Sequence, residues 1–114
     1  MGPDSISPRL LKEEAKQLAP SLTRLFNYSL HTCQLPNVWK TANVIPILKK
    51  GDRQDVANYR PVSLLSIVSK CLEKIIFKNV YNFFRDNDII TKWQSGFIPG
   101  DSTIKQLVGM YNKL

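Results

Sequence analysis

The side chains best suited to chemistry in this sequence are basic, and most of them fall in one stretch. Residues 40–78 contain eight Lys and Arg against three Asp and Glu, a net charge of +5 out of +7 for all 114 residues. A positive field of this kind concentrates polyanions such as nucleic acids or triphosphates, and the alternative is an ordinary solvated face. The acidic residues offer fewer candidates for a functional site, because the nine Asp and Glu include no adjacent Asp-Asp pair that could hold metal ions.

The remaining candidate ligands exclude several classes of site. Cys33 and Cys71 are far apart and His31 is the single histidine, so neither a disulfide scaffold nor a zinc site of known ligand spacing is predicted. Asp86 and Asp88 lie in a polar segment that ends a helical pattern. We interpret this acidic pair as a helix break and not as a metal site.

The sequence shows no membrane-spanning segment and no recognised signal peptide. Its longest apolar run, residues 44–48, is far shorter than the roughly 20 residues of a membrane-spanning helix. The N-terminus has no basic segment followed by an apolar stretch, so no signal peptide is recognised. We therefore expect a chain of the nucleus or cytoplasm that is not secreted and does not contact a membrane.

Helical spacing predicts two helices at the start of the chain. Ser7 followed by Pro8 is typical of an N-cap and a first helical residue, which places a helix from residue 8 to about residue 19. Pro20 is expected to end this helix or to start the next, which continues to about residue 31. Trp39 follows in a turn with a short helical piece, where we expect it to anchor the core.

A β-hairpin with a long basic tip is predicted in the middle of the chain. Residues 42–48 are rich in β-branched side chains, the polar segment 49–55 has turn chemistry, and a second extended piece spans 59–64. Because Pro46 and Pro61 lack a backbone N–H, they confine these strands to edge or bulged positions.

A long helix and a shorter one are predicted in the last part of the chain. From residue 66 to about 85 one face carries the apolar residues Val68, Leu72, Ile75, Ile76 and Phe83, and another carries the lysines Lys70, Lys74 and Lys78. Residues 94–100 are predicted to form a loop. Asp101 or Ser102 then caps a last helix, whose apolar stripe consists of Ile104, Leu107, Val108, Tyr111 and Leu114.

Five blocks of sequence follow one another in a specific order along nearly the whole chain. They are Gly2-Pro3-Asp4, residues 25–40, VIPILKKGD at 44–52, NYRPVSLL at 58–65 and QSGFIPGDST at 94–103. In order and spacing, these blocks resemble the reverse transcriptases of non-LTR (LINE-type, jockey-like) retrotransposons, and more distantly those of group II introns. The resemblance implies RNA-directed DNA synthesis by two-metal phosphoryl transfer.

The resemblance also implies roles for individual residues. Three residues, Arg60, Lys49 and Lys50, match the basic side chains that in the family reach the triphosphate of an incoming dNTP. The alternative is that they are exposed hairpin charges. The residues expected to face the RNA template are Lys70, Lys74, Gln94, Gly96 and Phe97, although the two lysines could equally be the wet face of an amphipathic helix. No catalytic or metal-binding residue is expected here, because the chain is expected to end before the palm aspartates that hold Mg²⁺ in the intact family enzyme.

The expected fold is α+β and mostly helical, with helices packed around a β-hairpin, as in the fingers subdomain of a right-hand polymerase. Residues 1–40 would be an N-terminal helical extension, and residues 41–114 a fingers region truncated before the palm. The expected partners are an RNA template, a DNA primer, dNTP and the palm and thumb regions of a full-length polymerase. Two alternatives remain: a nonenzymatic basic module that binds RNA or DNA, and a decayed element fragment without activity.

Overall fold

A computed structural model describes residues 1–112 of the chain as a mixture of helices and one small sheet. In chain order the elements are α1 (Pro8–Glu13), α2 (Ala15–Thr32), β1 (Asn43–Leu48), β2 (Tyr59–Leu64), α3 (Ile67–Asp86) and α4 (Thr103–Tyr111). Short 3₁₀ turns at Asn37–Lys40 and Val56–Asn58 precede the two strands. This composition agrees with the predicted α+β class. The chain divides into two compact units, residues 1–76 and the part beginning at Phe77, called the first and second units below.

The first two helices are separated at Glu14. Ser7 caps α1 as predicted, because its hydroxyl accepts a hydrogen bond of 3.1 Å from the Leu10 N–H. The chain leaves helical geometry at Glu14 (φ −100°, ψ 20°), and α2 then continues through Pro20. The prediction that a helix ends or starts at Pro20 is therefore wrong. A proline inside a helix removes one N–H donor, and the packing of the later turns of α2 on the core outweighs that loss.

The predicted hairpin is present, with strand boundaries within one residue of those expected. β1 and β2 are antiparallel and form a two-stranded sheet in which Pro46 lies opposite Pro61. Lys49 donates its N–H to the Asn58 carbonyl at 2.8 Å, so the pairing continues one position beyond the strands. Because hydrogen-bonded pairs alternate with non-bonded pairs, the two prolines meet at a non-bonded pair and no ladder bond is lost.

The core of the first unit is small and gathers residues from distant parts of the sequence. Its buried apolar residues are Phe26, Trp39, Val68 and Leu72. The Phe26 and Trp39 rings meet edge to face with centroids 6.0 Å apart, a favourable aromatic geometry. The prediction that Trp39 anchors the core is confirmed. β1 takes little part in this core, since five of its six residues are exposed.

The apolar face predicted for α3 is buried only near the start of the helix. Val68 and Leu72 are in the core, whereas Ile75 remains 49% exposed and Phe83 58% exposed. The helix itself matches the predicted boundaries within one residue. The later turns of the apolar face remain exposed, because hydrophobic periodicity indicates which face of a helix is apolar and not what covers it.

The second unit consists of the end of α3, a series of turns and α4. Asp88 adopts a left-handed conformation (φ 53°) just after α3, in agreement with the predicted helix break. Ser102, one of the two predicted caps, caps α4 by accepting the Lys105 N–H at 3.2 Å. α4 has no buried residue, and Leu114 of its predicted stripe lies outside the described residues. No helix in residues 1–112 is long and apolar enough to cross a membrane.

Candidate nucleotide and nucleic-acid interface

The tip of the hairpin is held in one conformation by its own polar groups. Asp52 accepts the Gln54 N–H through its carboxylate at 3.0 Å and the Asn58 amide through its backbone carbonyl at 2.9 Å. The Tyr59 hydroxyl donates to the Arg53 carbonyl at 2.9 Å. Local bonds of this type fix a turn in the absence of a ladder. We conclude that the loop between the strands is an ordered structure with a defined surface.

Gly51 and Asp55 complete this internal framework. Gly51 has a left-handed φ of 86°, and a Cβ there would lie 2.7 Å from the side-chain nitrogen of Asn58. The Asp55 carboxylate accepts the Ala57 N–H at 2.9 Å and caps the 3₁₀ turn that leads into β2. Both acids of the loop therefore serve its backbone. The residue pattern offered a partial signal, since Gly-Asp is a turn dipeptide, but the role of Tyr59 as a tether was not foreseen.

The basic side chains of the hairpin are left without acidic partners. In residues 1–112 the ion pairs within 4.0 Å join Arg9 to Glu13 and Arg85 to Asp86. Neither ion pair includes the four exposed basic side chains of the β-hairpin, Lys49, Lys50, Arg53 and Arg60. Positive charges that are exposed, unneutralised and carried on an ordered support form a ready site for an anion.

The strand register places two of the three predicted triphosphate residues on one face. Arg60 lies opposite Ile47, and Lys49 lies two residues beyond Ile47, at a position still paired with Asn58. Side chains alternate along a strand and paired residues share a face, so Lys49 and Arg60 occupy one face as diagonal neighbours. Lys50 lies in the bend that follows the last paired position, and the register does not assign it to a face.

The two lysines predicted to face a template lie one turn apart on α3. Lys70 and Lys74 are both exposed and stand at positions i and i+4 of the helix. Residues four apart share one face of a helix, so their ammonium groups form a short positive stripe in the first unit. Such a stripe attracts a phosphate backbone without selecting a base sequence.

The predicted template loop at residues 94–100 belongs to the second unit. The Gln94 side chain donates to the Gly96 carbonyl at 3.2 Å, so two of the predicted residues hold each other within the loop. Phe97 is fully exposed and adopts a left-handed φ of 61°, and a Cβ on Gly96 would meet open space. The backbone at Gly96 is accessible to a bulky ligand.

The described side chains do not fit a metal centre. In the part of the chain that the structure describes, no group of three or more His, Cys, Asp or Glu residues lies close enough together to hold a metal ion. Asp86 is paired with Arg85 and Asp88 terminates α3. These residues do not form an octahedral Mg²⁺ site, and no step that depends on such a site is assigned to them.

Comparison with known proteins identifies relatives over almost the whole chain. The RNA-directed DNA polymerase from mobile element jockey of Drosophila melanogaster is 34% identical over 110 residues, and its counterpart in Drosophila funebris is 33% identical over 112 residues. The probable RNA-directed DNA polymerase from transposon X-element of Drosophila melanogaster is 32% identical over 107 residues. These matches cover 96%, 97% and 93% of the chain, respectively.

The chain spans 12% of the length of each of these three relatives. No protein-family profile matches it. No solved structure matches it either. The relationship is therefore one of sequence, to a single segment of much longer proteins.

Proposed function

Because the chain is a homologue of one segment of the jockey-like RNA-directed DNA polymerases of non-LTR retrotransposons, we propose that it is the fingers portion of a reverse transcriptase. In this proposal residues 1–40 form an N-terminal helical extension and residues 41–114 the fingers region. Its ligands are a dNTP and an RNA template with its DNA primer. Its protein partners are the palm and thumb regions of the polymerase, and the aspartates that hold Mg²⁺ belong to the palm.

The observation that carries the proposal is a pair of exposed basic side chains on the hairpin, Lys49 and Arg60, which have no acidic partner among the described residues. The acids nearest in sequence, Asp52 and Asp55, bond the loop backbone and leave both bases exposed. A guanidinium presents two parallel N–H donors to phosphate oxygens, and an ammonium adds a mobile point charge. Together on one face they suit a chain of phosphates. The register supports this pair and does not extend to Lys50.

The proposed template contacts are of two kinds. Lys70 and Lys74 contact backbone phosphates, for which exposed ammonium groups at helical spacing are sufficient. The loop at residues 94–97 approaches the bases, with Gly96 leaving room for the template and Phe97 providing an exposed ring. Aromatic rings stack on bases of any sequence, which suits a protein that copies RNA.

The dNTP part of the proposal is tested by titrating dTTP into the ¹⁵N-labelled chain and following amide shifts by NMR. Replacing Arg60 by Gln is expected to weaken binding about tenfold, and Lys49→Gln about threefold, in line with a bidentate and a single charged contact. Lys50→Gln and Arg53→Gln are the matched controls. They carry the same loss of charge at the same hairpin and are expected to change affinity less than about twofold.

The controls decide between specific and diffuse binding. Equal losses in all four variants would indicate a general positive field and would contradict a triphosphate site on one face. Absence of dTTP-dependent shifts in the parent chain at low salt would remove the dNTP proposal altogether. The NMR spectrum of each variant also reports whether the hairpin remains folded.

A second candidate function is a nonenzymatic module that binds RNA, and the net charge of +5 in residues 40–78 favours it. It predicts that RNA affinity falls linearly with salt on logarithmic axes, with a slope reduced by about 0.7 when Lys70 or Lys74 is replaced by Gln. Fluorescence anisotropy with a uridine oligonucleotide measures this slope. RNA binding without any dTTP-dependent shift would favour this second function over the first.

A further inference from the structure

The N-terminal block Gly2-Pro3-Asp4 forms a clasp over the connection between β2 and α3. Gly2 is buried, and a Cβ there would lie 2.6 Å from the Ser66 nitrogen and closer still to the Leu65 carbonyl oxygen. The Ser5 N–H returns to the Gly2 carbonyl at 3.1 Å and closes a turn. Only glycine allows the N-terminal segment to lie this close to the backbone at residues 65–66.

The Asp4 side chain links this turn to the connection by a hydrogen bond with Ser66, which lies 62 positions later in the sequence. One carboxylate oxygen accepts the Ile6 N–H at 3.2 Å, and the other accepts the hydroxyl of Ser66. Ser66 has no exposed surface, and its hydroxyl oxygen also accepts the Ser69 N–H at 3.3 Å. A chain of hydrogen bonds therefore runs from the N-terminal turn to the first turn of α3.

The polarity of this chain requires an acceptor at position 4. The Ser66 hydroxyl has one proton, and because its oxygen accepts from Ser69, that proton is free to be donated to Asp4. An ionised carboxylate accepts from both Ser66 and Ile6, whereas an amide offers a single oxygen to two donors. A buried hydroxyl that loses its acceptor leaves a polar group unsatisfied, which is destabilising.

The connection held by this clasp is short and lies between the two proposed ligand-binding elements. Only Leu65 and Ser66 separate β2, which carries Arg60, from α3, which carries Lys70 and Lys74. A rotation at these two residues would change the angle between the strand and the helix. The hydrogen bond between Asp4 and Ser66 opposes that rotation, and so does the close approach of Gly2 to the backbone at residues 65–66.

We propose that Asp4 is a positioning residue that, through Ser66, sets the angle between β2 and the start of α3. Arg60 and the Lys70–Lys74 stripe then meet their ligands in one fixed arrangement. The proposal rests on the proposed function for its ligands. It assigns the Gly2-Pro3-Asp4 block a role in substrate binding, although none of its residues touches the substrate.

The test compares Asp4→Ala and Ser66→Ala, singly and together, with Ser63→Ala as the control. Ser63 is an exposed serine on β2, so the same change is made outside the clasp. Residual dipolar couplings of backbone amides measure the orientation of the hairpin (43–64) relative to the start of α3 (67–76). Affinities for dTTP, alone and with a saturating adenosine oligonucleotide, and for the fluorescein-labelled oligonucleotide are measured on the same full-length samples.

In Asp4→Ala and Ser66→Ala we expect the couplings of hairpin and helix to stop fitting one common alignment, while each element remains internally unchanged. Each ligand alone is expected to bind nearly as in the parent chain, because the dTTP contacts lie on the hairpin and the RNA contacts lie outside it. The affinity for dTTP with the oligonucleotide already bound is expected to fall about tenfold, because both ligands then depend on the angle. The double variant is expected to lose no more than the larger single loss, because both residues act through one bond. Ser63→Ala is expected to match the parent chain in every measurement.

The outcomes separate the clasp from the function on which it rests. A parent chain that binds neither ligand overturns the proposed function, and the couplings alone then decide whether the clasp sets the angle. Unchanged couplings in Asp4→Ala and Ser66→Ala overturn the clasp even if binding is strong. Altered couplings with an unchanged affinity for dTTP in the presence of the oligonucleotide keep the clasp as an architectural feature and overturn its role in positioning. If Ser66→Ala is unfolded, Asp4→Asn provides the milder change.

Discussion

The two units of the molecule differ in how much of their apolar surface they bury. All four buried hydrophobic residues belong to the first unit, and within residues 77–112 none is buried. Both units nevertheless carry amphipathic helices of the predicted kind. Part of the apolar surface of the first unit is buried against other elements of that unit, whereas no residue of 77–112 is buried. Equal sequence patterns therefore lead to unequal packing.

The difference has consequences for stability. Burial of apolar surface supplies most of the free energy that opposes chain entropy, and helices of about ten residues are marginal in water without it. The first unit has a core that closes around Phe26 and Trp39. The second depends on turns, on the Ser102 cap and on intrinsic helix propensity. We expect the first unit to unfold cooperatively and the second to open at much lower free energy.

The largest expected effect contrasts a leucine in each unit. Leu72→Ala is expected to lower the free energy of unfolding of the first unit by about 2–5 kcal/mol, because Leu72 is 3% exposed and its removal leaves a cavity. Leu107→Ala, at a residue 63% exposed in the second unit, is expected to lower the same free energy of unfolding of the first unit by less than about 0.5 kcal/mol. Urea denaturation followed by tryptophan fluorescence measures both values.

The two tryptophans make this measurement specific. Trp39 is buried in the first unit and Trp93 is 64% exposed in the second. A Trp93→Phe background leaves Trp39 as the single fluorescent reporter of the first unit. Similar losses for Leu72→Ala and Leu107→Ala in that background would contradict the contrast between the units. If Leu72→Ala has no folded baseline, Val68→Ala supplies a second buried site of smaller volume.

The next effect compares the same substitution, glycine to alanine, at two positions where it is expected to change stability in opposite directions. Gly2→Ala is expected to destabilise the first unit by about 1–3 kcal/mol, because the new Cβ meets the backbone at residues 65–66. Gly109→Ala is expected to stabilise α4 by about 0.5–1 kcal/mol, because it lies inside the helix and a Cβ there would have no neighbour within 4 Å. Hydrogen exchange of the amides in each unit measures both changes.

Two results would contradict this pair of expectations. An unchanged first unit in Gly2→Ala would mean that the N-terminal turn moves away without penalty, which would also weaken the clasp. A destabilised α4 in Gly109→Ala would mean that a neighbour occupies the space beside this glycine. Gly96→Ala, where a Cβ also meets open space, serves as a control outside any helix.

Much of the local structure could be predicted from the sequence, because periodicity and turn chemistry act over short distances. The boundaries of β1, β2 and α3 were each expected within one residue. Pro20 was misinterpreted because local propensity favours a break, and tertiary packing of α2 determined the outcome instead. The exposure of Ile75 and Phe83 could not be predicted, because the pattern gives the apolar face of a helix and not what covers it.

The candidate site was predicted in composition but not in arrangement. Family resemblance named Lys49, Lys50 and Arg60 together, and only the register shows that Lys49 and Arg60 share a face while Lys50 follows the last paired position. The bond between Asp4 and Ser66 could not be predicted, because it joins residues 62 positions apart in sequence. Long-range polar contacts of this kind depend on the folded backbone and leave no local pattern.

The smallest expected effect compares helix caps in the two units. Ser7→Ala and Ser102→Ala each remove a side-chain acceptor from a helix N-terminus, at a cost of about 1 kcal/mol. Because Leu11 of α1 packs against the core, we expect Ser7→Ala to lower the urea midpoint reported by Trp39. Because α4 has no buried residue, we expect Ser102→Ala to reduce the helical ¹³Cα shifts of residues 103–111 and to leave that midpoint unchanged. A change in the Trp39 midpoint on removal of the Ser102 cap would show that the folding of the two units is energetically coupled, and the contrast between a cooperative and an independently opening unit would then be wrong.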